Sequence, residues 1–130
     1  MTARALRMLY REVPEVKGCL TGCGKCCGPV PWSPAELERV ASRIPPGTLS
    51  RPAPSGPTEM VMLINPVTGG CAMLDAEKRC TVYEARPLMC RMFGAVAGPG
   101  LECPFGARAG RPLSDRKAGA LAQRYKREAP

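Results

Sequence analysis

The stretch "GCLTGCGKCCGP", residues 18 to 29, constrains this chain more than any other. It places four cysteines, Cys19, Cys23, Cys26 and Cys27, in nine positions, interleaved with glycine and closed by proline. Four more follow at Cys71, Cys80, Cys90 and Cys103. Eight thiols in 130 residues, with no histidine, read either as four disulfides of a secreted scaffold or as thiolates on metal inside a cell. The opening "MTARALRMLYREVPEV" favours the second. Arg4, Arg7 and Arg11 interrupt it, so it lacks the apolar run of about 7 to 15 residues that a secretory signal requires. No stretch approaches the roughly 20 apolar residues of a membrane span. The expectation is a cytoplasmic protein without a membrane partner, whose cysteines bind metal.

A staple of some kind is needed. With 14 Gly, 15 Pro and six aromatic residues, much of the chain must be loop. Ordering loop costs roughly 1 to 2 kcal/mol per residue in backbone entropy. A chain of 130 residues has room for one modest core, so residues 1–130 are expected to form a single domain.

Ala3, Leu6, Tyr10 and Val13 recur at helical spacing and predict a helix over residues 2 to 13, stopped at Pro14. Ser33-Pro34-Ala35-Glu36 is a capping box with proline at the first helical position. It opens a second helix that carries Leu37, Val40, Ala41 and Ile44 on one face and ends at Pro45-Pro46. Residues 45 to 57, with five prolines and two glycines, predict an extended connector. The apolar runs 59 to 64 and 71 to 75, around Asn65-Pro66 and Gly69-Gly70, predict a β-hairpin with a longer loop. A short helix is expected near residues 82 to 86. A last helix is expected from Ser114, with Ala118, Leu121, Ala122 and Tyr125 on one face and cations in its final turns, where they suit the helix dipole. The fold class is therefore α+β: a small domain of short helices and loops with one β-hairpin, organised around a cysteine-ligated metal site.

Cys23 and Cys26 form a C-x2-C, the loop length that lets two sulfurs reach one metal, and Cys19 extends it to C-x3-C-x2-C. The side chains of the adjacent Cys26 and Cys27 are expected to diverge, with one of them turning to a different centre or into the core. Cys71, Cys80, Cys90 and Cys103 are too irregularly spaced for a knuckle and can converge only through the tertiary fold, where the two halves are expected to meet at a shared metal region. An all-thiolate donor set suits zinc or iron-sulfur. The closing Cys103-Pro104 and the lack of histidine tilt toward iron-sulfur, with a 4Fe-4S cluster favoured over zinc. The C-x3-C-x2-C string also serves radical SAM enzymes, but those need most of a (β/α) barrel of about 200 residues or more, and no βαβ series is present.

The run Cys19-x3-Cys23-x2-Cys26-Cys27, then "GGCAMLDAEKRCTVYEARPLMCRMFG" and "CPFG", resembles the YkgJ-type cysteine-cluster family, a zinc- or iron-chelating domain with eight cysteines. All eight cysteines have counterparts, as does Cys80-x2-Tyr83-x2-Arg86-Pro87-x2-Cys90-Arg91-x-Phe93. The resemblance covers residues 19–106 and implies metal chelation by Cys19, Cys23, Cys26, Cys27, Cys71, Cys80, Cys90 and Cys103, without a settled reaction. It leaves the basic ends, 1–18 and 107–130, outside. A similar cluster in the much longer flagellin lysine methylases would imply an iron-sulfur centre.

Arg79, Arg86 and Arg91 flank Cys80 and Cys90. Two readings stand: they offset thiolate charge or hold an anionic substrate or cofactor, for which Arg86 and Arg91 are the candidates, or they pair with Glu77 and Glu84. Tyr83 and Phe93 read as core, and Met60, Met62, Met73, Met89 and Met92 as filling an irregular core. The formal charge of +8 counts thiols as neutral; eight thiolates on two divalent ions would bring it to about +4. The remaining excess lies at the ends and reads as solvated helix, since no aromatic interleaving accompanies it for base stacking. Three functions follow in order: a metal- or cluster-binding protein; a cluster- or metal-dependent enzyme component with an anionic substrate; and a zinc-stapled basic adaptor for nucleic acid or a protein partner.

Overall fold

The computed structural model describes residues 2–17, 28–53, 59–97, 101, 103 and 107–128. Cys19, Cys23, Cys26 and Cys27, and Pro104 after Cys103, lie outside the described residues.

Thr2 caps the first helix by accepting from the Ala5 N–H at 3.0 Å, and α1 runs Ala3–Arg11, two residues short of Val13. Its buried face is Leu6 and Leu9. The capping box forms as its residues dictate: Ser33 accepts from the Glu36 N–H, the Glu36 carboxylate accepts from the Ser33 N–H, and α2 spans Pro34–Val40. The helix then tightens into a 3-10 turn over Ala41–Arg43. That rotation carries Ala41 to the surface, whereas the sequence placed it on the buried face.

Residues 45 to 57 are not all connector. Pro45-Pro46-Gly47-Thr48 makes a type II turn, with proline second, Gly47 third at φ +80°, and the Thr48 N–H donating to the Pro45 carbonyl. The turn launches a strand, so the proline-rich segment supplies an edge of the sheet. The order is β2-β4-β3, all antiparallel, with β2 Pro31–Trp32, β3 Leu49–Pro52 and β4 Val61–Ile64. The register sets Trp32 and Pro52 opposite Val61, and Leu49 opposite Ile64. Proline cannot donate to a ladder, which fits Pro31 and Pro52 on the outer strands and a proline-free β4 between them. The expected hairpin partner of β4 shrinks to a single bridge, Ile64 to Cys71. Here the loop is closed by Asn65, whose Oδ1 accepts from the Val67 and Thr68 N–H groups.

The expected helix near 82 to 86 is only a 3-10 turn, Tyr83–Ala85; Pro87 then starts α3, Leu88–Met92, which sequence periodicity did not reveal. A two-stranded ribbon pairs β1 (Val16–Lys17) with β5 (Arg108–Ala109). The last helix, α4, runs Asp115–Glu128 from a Ser114 that accepts from the Lys117 N–H, and it buries Ala118, Leu121 and Tyr125 at the expected spacing.

The core has two parts. One gathers Leu9, Leu88, Met92, Leu121 and Tyr125 from α1, α3 and α4; the other gathers Trp32, Val40, Leu63, Met73 and Val82 around the sheet and includes Cys71. Met89 is half-buried and packs against both, as a flexible thioether can. Among the described residues there are four α-helices and a three-stranded antiparallel sheet, an α+β arrangement, and no helix is long and apolar enough to cross a membrane.

Candidate metal centre

Three of the predicted ligands are brought together from positions far apart in sequence. Cys71 sits at the bridge that ends β4; Cys80 is fixed by a bridge to Leu74; Cys90 stands in α3. The loop between Leu74 and Cys80 is closed by Asp75, whose Oδ1 accepts from the N–H groups of Glu77 and Arg79, both at 2.9 Å. Thr81 then pins the next residue, donating through its N–H and its hydroxyl to the Met73 carbonyl. As a result Cys71, Cys80 and Cys90 line one small apolar cavity of about 50 Å3, with Trp32, Met73 and Val82 among its walls. Cys103 is half-buried and is not among the residues lining it.

Burial pushes the Cys71 thiol above its ordinary value, the charge of nearby Cys80 adds to the shift, and a backbone hydrogen bond at Met73 partly offsets it. Cys80 is also raised, first by burial, against the opposing pull of a backbone hydrogen bond at Val82 and of the Arg86 and Arg43 guanidiniums. A buried thiol is therefore a poor thiolate until a cation compensates it. The donors fit zinc or iron in kind, being sulfur in an apolar wall. Among the described residues, however, no three cysteine or carboxylate side chains surround a point from which an ion could be held.

Arg86 and Arg91 do not pair with the carboxylates of Glu77 and Glu84. The Glu84 carboxylate is taken by Arg43 at 2.6 Å, an exposed contact. Arg86 instead lies 3.9 Å over the Tyr83 ring and donates through Nε to the Tyr83 carbonyl at 2.9 Å. Arg91 lies 4.0 Å over the Tyr10 ring; its Nε donates to the Arg86 carbonyl at 2.8 Å and its Nη2 to the Glu84 carbonyl at 2.9 Å. Arg86 lines the cysteine cavity, so its charge does reach a thiol; Arg91 does not line it. Tyr83 is half-buried in the same wall, and Phe93 is half-buried beyond α3.

Sequence reasoning missed the most heavily bonded side chain among the described residues, Glu36. Its capping role was legible, but the side chain is fully buried and its two oxygens take five donors. Oε1 accepts from the Ser33 N–H, the Ser33 hydroxyl and the Tyr125 hydroxyl. Oε2 accepts from the Tyr10 hydroxyl and the Leu88 N–H, each at 2.6 Å. These bonds tie α1, α2, α4 and the start of α3 together.

A search of curated proteins and a search of solved structures find no match to the chain. A family described as "Putative zinc- or iron-chelating domain", named for its C-x2-C-x2-C-C pattern, matches residues 18–118. The run at 19 to 27 differs from that name by one residue, having three rather than two between Cys19 and Cys23. The matched region extends past Cys103 as far as Ala118 on α4, twelve residues beyond the motif read from the sequence. With more than three quarters of its length matched, the chain belongs to this cysteine-cluster family of zinc- or iron-chelating domains.

Proposed function

We propose that the protein holds iron-sulfur, 4Fe-4S rather than zinc, through thiolates drawn from Cys19, Cys23, Cys26, Cys27, Cys71, Cys80, Cys90 and Cys103, four to a cluster, in one domain that works in the reducing cytoplasm. The observation that carries the reading is the convergence of Cys71, Cys80 and Cys90 on one apolar cavity, although 8 and 9 residues separate successive members. An enclosure of this kind excludes water from thiolates and tunes what they hold. The preference for iron-sulfur rests on a donor set wholly of sulfur and on the closing Cys103-Pro104. A bound cluster would supply one-electron chemistry; zinc would supply a structural clamp or a Lewis acid, without redox chemistry. Because the thiols of Cys71 and Cys80 are held protonated by burial, loading the site must release protons, and binding and folding become linked.

Elemental analysis with acid-labile sulfide on anaerobically purified protein tests this. Iron with sulfide is expected. Zinc without sulfide would replace the cluster with a structural site, and neither metal would overturn metal binding altogether. Cys80→Ser should lower metal content and the unfolding midpoint together; normal metal with an unchanged midpoint would remove Cys80 from the ligand set.

A further inference from the structure

Next to the cysteine cavity, and sharing Tyr83 and Arg86 with it in their linings, lies a larger cleft of about 210 Å3 that is also lined by Arg91, Tyr10 and residues 13 to 16 of the chain. No cysteine lines it among the described residues. The geometry points to this cleft as a binding site for a small oxyanion, a phosphate or a carboxylate, gripped between the guanidiniums of Arg86 and Arg91. The inference goes beyond the metal reading and does not depend on it.

Both guanidiniums are fixed before any ligand arrives. Each stacks on a tyrosine ring within about 4 Å, and each has Nε tied to a backbone carbonyl. Among the described residues, no protein acceptor takes the two terminal nitrogens of Arg86, while Arg91 has the Tyr10 hydroxyl beside it as a further acceptor. A planar fork held rigid with its end-on donors available is the arrangement that recognises carboxylate and phosphate, and its preorganisation spares the entropy of ordering long side chains. Arg91 is half-buried, and partial removal from water strengthens the attraction of a guanidinium to an anion. The exposed Glu15 carboxylate stands in the lining as well. It limits the charge the cleft welcomes and favours a small anion over a polyanion such as nucleic acid. The Tyr10 and Tyr83 rings leave apolar surface for the rest of a small molecule.

Calorimetric titration of the metal-loaded full-length protein with inorganic phosphate, and separately with succinate, distinguishes the two sources of oxyanion. Saturable binding of one of them is expected. Hydrogen bonds to charged groups predict weakening by about tenfold or more in Arg86→Gln and in Arg91→Gln. Glu15→Gln, an exposed change that leaves folding alone, should tighten binding by about two- to threefold. Arg116→Gln, which removes the same charge from the exposed face of α4, should leave it unchanged. Metal content measured on the same samples keeps the two readings apart, because Arg91 does not line the cysteine cavity and its replacement should leave the metal in place. Absence of saturable heat with both probes, an equal loss in Arg116→Gln, or weaker binding in Glu15→Gln would overturn the assignment.

Discussion

The Tyr10 hydroxyl donates to Oε2 of Glu36 at 2.6 Å, joining α1 to α2 across 26 positions of sequence, and the Tyr125 hydroxyl of α4 meets the other oxygen. A carboxylate at zero exposure is costly unless its acceptor capacity is filled, and here it is filled from four elements. The arrangement couples the helical core to the sheet core at one group.

Replacing Glu36 by Gln should therefore destabilise the protein by about 2 to 4 kcal/mol, far more than its near-identical shape suggests. Whichever way the amide turns, its NH2 confronts at least two donors, and a backbone N–H such as that of Leu88 cannot rotate away. Urea unfolding measures the loss. Removing the exposed Arg43–Glu84 pair as Glu84→Gln provides the contrast, with no measurable change expected. Equal effects of the two substitutions would contradict the role given to Glu36.

Alkaline pH should weaken the fold through the same group. The Tyr10 and Tyr125 hydroxyls are both raised well above the ordinary 10.0, first by burial, then by the charge of Glu36, then by their hydrogen bonds to it. The folded state keeps protons that the unfolded chain gives up near pH 10, so their contribution is complete below that value and is lost as pH rises beyond it. The urea midpoint of the metal-loaded protein should fall steadily from roughly pH 9.5 upward, and Tyr10→Phe should make the decline shallower. A midpoint that stays flat across this range would contradict the prediction.

Two glycines with the same backbone sign should respond differently to alanine. Gly94 has φ +78°, and a Cβ there would meet the Ala107 carbonyl oxygen and Val16 Cγ1, each at 2.9 Å. Neither a backbone oxygen nor a branched side chain in the β1–β5 ribbon can step aside, so Gly94→Ala should cost about 2 to 4 kcal/mol. Gly47, at φ +80°, faces open space. Gly47→Ala should cost only the backbone strain, about 1 kcal/mol. Thermal unfolding of the two variants side by side provides the check, and similar losses would contradict the steric account.

What the sequence made legible was local. The Ser33–Glu36 box, the Thr2 to Arg11 helix and the buried spacing of Ala118, Leu121 and Tyr125 all depend on neighbours within a few positions. The partners of Glu36 lie 26, 52 and 89 residues away, and no spacing rule could announce them. Likewise α3 is five residues long, too short to show a period, and β3 was hidden by prolines that an edge strand tolerates. For the cysteines, the irregular intervals after Cys71 signalled convergence through the fold, and three of the four do share a cavity. Of the two readings open for Arg86 and Arg91, pairing with Glu77 and Glu84 gives way because tyrosine rings and backbone carbonyls compete for a guanidinium as well as acids do.

The placement of Pro31 and Pro52 has a consequence for how copies of this protein behave in a crowded solution. An exposed sheet edge is a template on which another chain can add a strand, and repeated addition leads to aggregation. Here one outer strand carries Pro31 and the other carries Arg51 and Pro52 at its exposed end. Each proline removes a donor from a possible new ladder, and Arg51 adds a charge that an incoming strand would have to accommodate. The sheet therefore resists growth at both margins, so that strand addition between copies is disfavoured at either edge.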